Sequence, residues 1–536
     1  MSLPNVETVV RRLAPVCPAP GFAATLQSRF SVALAAARLY VSPVLYSRFA
    51  VSLALYPLAG DVLALLLVPW PQSLLAVASL AVLQALPVLV LVAMSSARRR
   101  GVDAELPFFL IMLSIFSRAS SPSMDDGLAK AAAMGDGAFP ELRREQALLE
   151  RDITFVPGST ESVIERSIGA HPSRRLREFS RSFMITLTTG KSVSEFVQEE
   201  ALRQVELLEA RWRGFSESVG ALAEVSLMVL ALFPVGIDMI AAAIPGVASS
   251  QVLLFSLLLL SGFSAVLLLL MDAAQPVLHN STPGTVPLLL VLLSWSVSTG
   301  LYALGAVPLS LSLLVPLATS TLAFLRTRAV CDRIRRGEDE VSVLLHDLAE
   351  ESKAGVSLPE ALTKASGGAS AFVSIGEALT AFQRSIMLGA SPEEAQRSVS
   401  HPSWLVRLSF AMLSVAFATG AGFEQLERLS TFFRRLSDAR RSASRSLLPF
   451  VMVGLIVPAI SISSLSFLSS FAQGGVPFLP SLTKVSEVYI LVSISAVSLM
   501  TGLLLSKLFT QTTRHALAVP LLLVSTLVSL LVFGAL

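Results

Sequence analysis

Long apolar runs alternate with charged segments along this chain of 536 residues. About 20 residues at 1.5 Å rise per residue cross a hydrocarbon core of about 30 Å. Runs of about this length lie at 49–68, 73–94, 222–244, 252–271, 286–304, 308–325, 448–471, 488–505 and 517–534. The pattern therefore predicts nine transmembrane helices.

Two segments between these runs carry most of the charge. Residues 96–220 hold 17 basic and 18 acidic residues, and residues 326–447 hold 16 and 14. A charged side chain at the bilayer centre costs several kcal/mol, so both segments are expected in water. Their apolar positions repeat at helical spacing, without alternating β-branched runs. We expect an all-α polytopic membrane protein with two cytoplasmic helical bundles.

The charge pattern divides the chain into six regions. A cytoplasmic amino-terminal segment, either a membrane-surface helix or a solvated helix, precedes the first span. The predicted regions are 1–48 for this segment, 49–95 for spans 1–2, 96–220 for the first bundle, 221–325 for spans 3–6, 326–447 for the second bundle and 448–536 for spans 7–9.

Basic residues in short flanks set the orientation, because Lys and Arg are retained on the cytoplasmic side. Such residues follow the second, sixth and eighth spans, as at Arg98, Arg326 and Lys507. An amino terminus inside and a carboxyl terminus outside place all of them in the cytoplasm. This orientation also makes both bundles cytoplasmic.

The two charged segments resemble each other. His171-Pro172 and Gly190 in the first answer His401-Pro402 and Gly420 in the second, both at the same offset along the chain. Weaker correspondences lie upstream, between Leu128 and Leu362. Both segments continue as a charged amphipathic helix into an apolar run. We interpret them as two copies of one bundle, each leading into a membrane helix.

Composition supports a membrane protein and restricts the chemistry. Hydrophobic residues make up 53% of the chain and the mean hydropathy is +0.69, which excludes an ordinary water-soluble domain. Both bundles are close to neutral and show no regular interleaving of aromatic residues with their arginines, so we expect no nucleic-acid partner.

No catalytic, cofactor or metal motif stands out. Thr189-Gly190-Lys191-Ser192 has the end of a phosphate-binding loop, but the required earlier Gly is Ile185 and no strand precedes it. The two cysteines, Cys17 and Cys331, form no paired ligand motif. The five histidines are scattered. We expect a protein that is not an enzyme and has no cofactor.

Two sets of residues remain as candidates for function. Asp61 and Asp238 lie inside predicted spans, where a carboxyl group is either a proton or ion site or a buried hydrogen-bonding group; we favour the second interpretation. Arginine clusters in the bundles are either solvated faces or a docking surface for a partner. The docking candidates are Arg434, Arg435, Arg440, Arg441, Arg174 and Arg175.

These features resemble the type II secretion-system protein F family, the platform proteins of type IV pilus-like machines. The resemblance rests on two bundles of similar length, on the Gly-x-Ser-Leu-x-x-Ala-Leu opening at Gly355 to Leu362, and on the Gly-centred turn at Gly420 to Gly422. The nine-span pattern is more similar to archaeal pilus and archaellum platforms. The opening of the first bundle departs from the family pattern because it lacks the early Gly.

The resemblance implies a mechanical role in the cytoplasmic membrane. The bundles would contact a hexameric secretion ATPase, and pilin-like subunits would leave the lipid bilayer for a growing filament. A homodimer is expected, since a two-fold pair of bundles fits under a hexamer. Two alternatives stay open at this point: a secondary transporter with internal repeats, and a membrane sensor with helical cytoplasmic modules.

Overall fold

The structure is a computed structural model of the whole chain. It describes residues 10, 19–39, 41–67, 72–119, 124–134, 137–243, 249–280, 286–303, 306, 309–367, 372–420, 422–450, 452–454, 456–460, 463, 487–510 and 519–532. Every regular element among these residues is an α-helix, as the sequence predicts.

The amino-terminal half contains a short helix, two long apolar helices, a set of shorter helices and a third long helix. Their bounds are α1 Pro20–Ala36, α2 Pro43–Leu67, α3 Gln72–Ala119, α4 Met124–Ala133, α5 Pro140–Phe155, α6 Thr160–Gly169, α7 Arg174–Thr189 and α8 Val193–Ala243.

The carboxyl-terminal half has the same mixture of long and short helices. The bounds are α9 Ser249–Ala274, α10 Val286–Ala303, α11 Leu309–Lys353, α12 Leu358–Gly367, α13 Gly376–Met387, α14 Pro392–Arg397, α15 Trp404–Thr419, α16 Phe423–Ser446, α17 Glu487–Thr510 and α18 Val519–Val532.

The chain divides into two compact units, 1–202 and 203–536. In the first unit, α1, α2 and α3 pack through an apolar cluster that includes Leu34, Tyr46 and Leu91. Tyr46 is fully buried, and its hydroxyl donates to the Pro87 carbonyl, inside α3. The amino-terminal segment is thereby packed against the first two predicted spans.

The second unit has one apolar cluster among long helices and another in its bundle. Val291, Leu503 and Val519 join α10, α17 and α18. In the bundle, α15 is buried along most of its length, and Trp404 at its start has no exposed surface. A helix that is buried nearly all round is apolar on every face, which makes α15 the core of the second bundle.

Three helical stretches of the described residues are long and apolar enough to cross a membrane: Val193–Leu232 in α8, Ser312–Lys353 in α11, and Phe423–Ile460, which is α16 with the described helical residues that follow it. Shorter apolar helices lie at Leu259–Ala274, Val286–Tyr302, Trp404–Thr419 and Ser495–Lys507. The number of nine spans therefore stays a prediction. The predicted boundaries 95/96, 220/221 and 325/326 fall inside α3, α8 and α11, because leaving lipid for water does not require a helix to end.

Candidate functional site

A His-Pro-Ser turn precedes α7, and a second one precedes α15. In each turn the histidine Nδ1 accepts a hydrogen bond from the backbone N–H two residues later: His171 from Ser173 and His401 from Ser403, both at 3.0 Å. The guanidinium of Arg177 donates to the His171 carbonyl, and that of Arg407 donates to the His401 carbonyl at 2.6 Å. The two turns are held by the same contacts.

The serine of each turn also binds a carboxylate on a long helix. The Ser173 hydroxyl donates to Asp103 in α3, and the Ser403 hydroxyl donates to Glu338 in α11 at 2.9 Å. Each bond fixes the start of one bundle helix against the long helix that leads into the bundle.

A second carboxylate, two residues further along each long helix, binds the start of another helix. Glu105 accepts from the backbone N–H groups of Glu141 and Leu142, both at 2.8 Å. Glu340 accepts from those of Ser374 and Ile375, both at 2.9 Å. A carboxylate is favoured at these positions because the first N–H groups of a helix have no partner within it.

The phosphate-loop resemblance at Thr189 to Ser192 is explained by a helix-to-helix turn. Gly190 ends α7 with a left-handed backbone, φ 67°, and Gly420 ends α15 in the same way, φ 63°. Ser192 then begins α8, since its hydroxyl accepts from the Glu195 N–H at 3.3 Å. A left-handed residue at a helix end favours glycine.

The histidine of the first unit belongs to a buried charge cluster. His171 Nε2 lies 3.0 Å from Glu145 Oε1, and the same carboxylate pairs with Arg38 and, at 2.8 Å, with Arg98. Burial alone would raise the pKa of Glu145, but hydrogen bonds from His171 and Arg98 hold it well below its usual range. Burial lowers the pKa of His171. The ring is therefore neutral and donates its Nε2–H to Glu145.

This cluster connects the amino-terminal segment to the first bundle. Arg98 also donates to the carbonyls of Ala35 and Ala36, at the end of α1, at 2.9 and 3.2 Å. Arg38 follows that helix with φ 57°. A cavity of about 400 Å³ lies beside these residues, lined by leucines together with Arg38, Arg98, Glu145 and His171.

The histidine of the second unit has a different neighbour. His401 Nε2 lies 3.3 Å from the Ser374 hydroxyl, which donates to the Arg333 carbonyl at 2.7 Å and so accepts from the ring. Burial, together with the charges of Arg333 and Arg407, lowers the pKa of His401 to about 4. This ring is also neutral at physiological pH.

The docking arginines fall into two groups. Arg440 pairs with Glu338 and lies over the Trp212 ring, 5.4 Å from its centroid, while Arg441 pairs with Asp339 at 2.5 Å. These two hold α16 against α11. By contrast, Arg434 and Arg435 are exposed.

Arg434 also lines a cavity of about 200 Å³ with His346, Lys353 and Glu427. In the first unit, exposed Arg174 pairs with Glu178 at 2.6 Å. Half-buried Arg175 lies near Asp103, and burial lowers its pKa. Of the six candidate arginines, Arg434 and Arg435 are therefore the two that are exposed and make no ion pair within the described ranges.

Of the two acids in predicted spans, Asp61 and Asp238, the structure describes the side chain of the first. The amide of Gln84 donates to Asp61 at 2.6 Å, joining α3 to α2. Asp238 lies in α8, and its side chain is outside the described residues. Asp61 thus has a hydrogen-bond partner, and the choice between its two interpretations stays a prediction.

Metal and thiol chemistry gain no support from the described residues. They contain no cluster of three or more His, Cys, Asp or Glu side chains arranged to hold a metal ion. Cys17 lies outside them. Burial and the neighbouring Asp332 raise the pKa of Cys331 to about 12, so its thiol stays protonated.

Sequence reasoning missed the carboxylates that bind the two turns. Asp103 and Glu105 are spaced like Glu338 and Glu340, and this acid-x-acid pattern, repeated in the second bundle, was the available signal. Glu145 gave no such signal, since its partners come from three separate segments.

Comparison with known families gives one assignment. Residues 344–470 match the family described as type II secretion system (T2SS), protein F. The match begins in α11, runs through α12 to α16 and extends beyond α16, so it includes the second His-Pro-Ser turn. The chain matches no curated protein and no solved structure. This chain therefore contains, at residues 344–470, a segment that matches the type II secretion system protein F family.

Proposed function

We propose that this protein is the membrane platform of a type IV pilus-like, archaellum-like or type II secretion machine. It would couple a cytoplasmic secretion ATPase to the assembly of pilin-like subunits into a filament. The observation that carries the proposal is the family match over residues 344–470. The proposed role requires no catalysis by this chain.

We also propose that the two bundles are copies of one domain. The contacts of the two turns support this, since His, Ser, Arg and acid occupy the same roles in both. Arg98, Asp103 and Glu105 have counterparts at one constant offset along the chain, in Arg333, Glu338 and Glu340. Arg98 pairs with Glu145 of α5, and Arg333 pairs with Glu377 of α13 at 2.5 Å. The two equivalent arginines therefore each bind a carboxylate on a later helix of their own bundle.

The predicted topology is consistent with contacts within the second unit. Lys507 follows the eighth predicted span and Asp272 follows the fourth, and both positions are predicted to be cytoplasmic. The Lys507 ammonium lies 2.6 Å from the Asp272 carboxylate. Two residues on opposite membrane faces would be about 30 Å apart. This ion pair supports a shared face for both.

Long helices provide a route for mechanical coupling. α3, α8 and α11 have 48, 51 and 45 residues, and each would run from a predicted span into a bundle. At 1.5 Å per residue such a helix is about 70 Å long. Displacement of a bundle by the ATPase would therefore move the attached span directly.

Arg434 and Arg435 form the best docking surface for an acidic patch on the ATPase. They lie on α16, three to four helical turns before Leu448, the start of the seventh predicted span, which is about 20 Å along a helix. The Debye length at physiological ionic strength is about 8 Å, so lipid headgroups would attract them only weakly. An acidic protein surface suits these two charges better.

The test is co-purification of the full-length protein with the hexameric ATPase of the same cell, at low and physiological salt. The double variant Arg434→Glu/Arg435→Glu is expected to weaken association about tenfold, more strongly at low salt. Its matched control is Arg335→Glu/Arg336→Glu, the same charge change at another exposed pair of the bundle. Failure of the wild-type protein to associate would refute the platform proposal. Equal loss in both variants would refute the assignment of the docking surface.

Other partners follow from the proposed role. Pilin-like subunits and the lipid bilayer would contact the spans. A homodimer would place a two-fold pair of duplicated bundles beneath the ATPase. We expect no nucleic-acid partner.

A further inference from the structure

The segment that follows α9 contacts the start of α15. The Asn280 side-chain carbonyl accepts a hydrogen bond from the Trp404 backbone N–H at 2.8 Å. The Arg407 guanidinium donates to the His279 carbonyl at 3.0 Å. The His279 ring meets the Trp404 ring edge to face, with centroids 5.1 Å apart. Three contacts thus join residues 279–280 to a bundle helix.

These contacts give the start of α15 an acceptor from a distant segment, whereas the first bundle caps the equivalent helix, α7, by itself. The Ser173 hydroxyl accepts from the Leu176 N–H at 3.2 Å and caps α7. Ser403 stands at the same position of α15, but its side chain makes no cap hydrogen bond. Asn280, distant in the chain, supplies an acceptor to another N–H of the first turn, that of Trp404. An N-cap acceptor is usually a local side chain, as it is in the first bundle, whereas the start of α15 uses a distant one.

The position of residues 275–280 in the chain suggests what their contacts with α15 do. This segment continues directly from α9, and α10 follows it in the chain, so it lies between the fourth and fifth predicted spans. The helix that it caps is the buried core of the second bundle. A displacement of α15 would therefore pull on α9 through residues 275–280.

We propose that residues 275–280 form a coupling arm that transmits movement of the second bundle to α9, with Asn280 as its positioning residue. This inference rests on the proposed platform function. The arm acts in addition to the continuous helix α11, and it reaches a predicted span, α9, that is not extended into the second bundle.

Hydrogen exchange of the full-length protein in lipid nanodiscs tests the contact. Asn280→Ala removes the acceptor and is expected to speed exchange of the Trp404 amide about fivefold, the factor for loss of a typical cap. Asn280→Asp keeps the acceptor and is expected to restore slow exchange. Gln275→Ala is the matched control, because it shortens an amide side chain in the same segment without touching α15. Unchanged exchange in Asn280→Ala would overturn the proposal.

Filament assembly in cells that lack the native protein tests the coupling. Asn280→Ala is expected to retain the ATPase on co-purification but to lose most filaments, counted by electron microscopy, whereas Gln275→Ala keeps them. Normal filament numbers in Asn280→Ala would overturn the coupling arm and leave the platform function standing. If the wild-type protein binds no ATPase, the platform function itself is refuted. The coupling, which depends on that function, is then refuted with it.

Discussion

The two turn histidines are fixed in one protonation state by their hydrogen bonds. In each ring Nδ1 accepts from a serine N–H, so the proton of the neutral ring is on Nε2. His171 donates this N–H in a hydrogen bond to Glu145, and His401 donates it to the Ser374 hydroxyl. Protonation of Nδ1 would place two N–H groups against each other. Both residues are 4% exposed or less, so water could not replace the lost bond.

This geometry predicts acid sensitivity in the second bundle. The pKa of His401 is about 4 in the folded protein, against 6.5 in an unfolded chain. The folded state therefore binds fewer protons, and the stabilisation is complete above pH 6.5 and falls as pH drops towards 4. The loss at pH 4 is on the order of 1–3 kcal/mol.

His401→Asn removes the titration, and its side-chain oxygen can still accept from the Ser403 N–H. We expect the variant to be less stable than the wild type at pH 7 and to lose less stability between pH 7 and 4. Thermal unfolding of the full-length protein in detergent measures both. Exposed His346→Asn serves as the control and is expected to follow the wild type. A wild-type pH slope in His401→Asn would contradict the assignment.

At the scale of elements, the sequence identified helices well and their ends poorly. Long apolar runs and amphipathic charged segments both predict helices, and the described elements are helices. The change from apolar to charged residues, however, marks the surface of the membrane and not the end of a helix. This is why α3 continues from Met94 through Arg98 to the buried acids of the first bundle.

Close packing of α11 against the second turn gives a prediction at this scale. A Cβ on Gly337 would lie 2.6 Å from Cε1 and 2.9 Å from Nε2 of the His401 ring. The ring is buried between fixed partners and cannot move aside. Gly337→Ala should therefore destabilise the protein by about 1–3 kcal/mol, although Ala is ordinarily favoured over Gly inside a helix by about 1 kcal/mol.

Gly214→Ala is the matched control for this variant. Gly214 lies inside α8 and a Cβ there meets nothing within 4 Å. We expect the control to raise the midpoint of thermal unfolding slightly and Gly337→Ala to lower it by several degrees. A rise in both midpoints would show that the His401 ring can be displaced at little cost.

At the scale of the whole molecule, the candidate site was predictable only where it is repeated. His171 and His401 stand out because their surroundings recur at a fixed offset. Arg38 and Asn280 do not, because each is joined to a bundle helix that lies far along the chain. Such long-range contacts depend on how helices pack, and neither composition nor spacing encodes them locally. The arginine clusters also could not be sorted into structural and exposed members from the sequence alone.

Membrane topology is the remaining whole-molecule prediction. Ala274 ends α9, next to the cytoplasmic Asp272–Lys507 pair of the proposed arrangement, and Ala306 lies in the short connection between α10 and α11 that is predicted to face outside. Both side chains are exposed. In a background of Cys17→Ser and Cys331→Ser, a membrane-impermeant thiol reagent added to intact cells should label Ala306→Cys and leave Ala274→Cys unlabelled. Opening the membrane should then make Ala274→Cys reactive as well.

The outside connection requires two spans, α10 and α11, to return the chain to the cytoplasm before the second bundle. Labelling of Ala274→Cys in intact cells, or protection of Ala306→Cys, would place at least one of these helices on a different path and would break the nine-span arrangement.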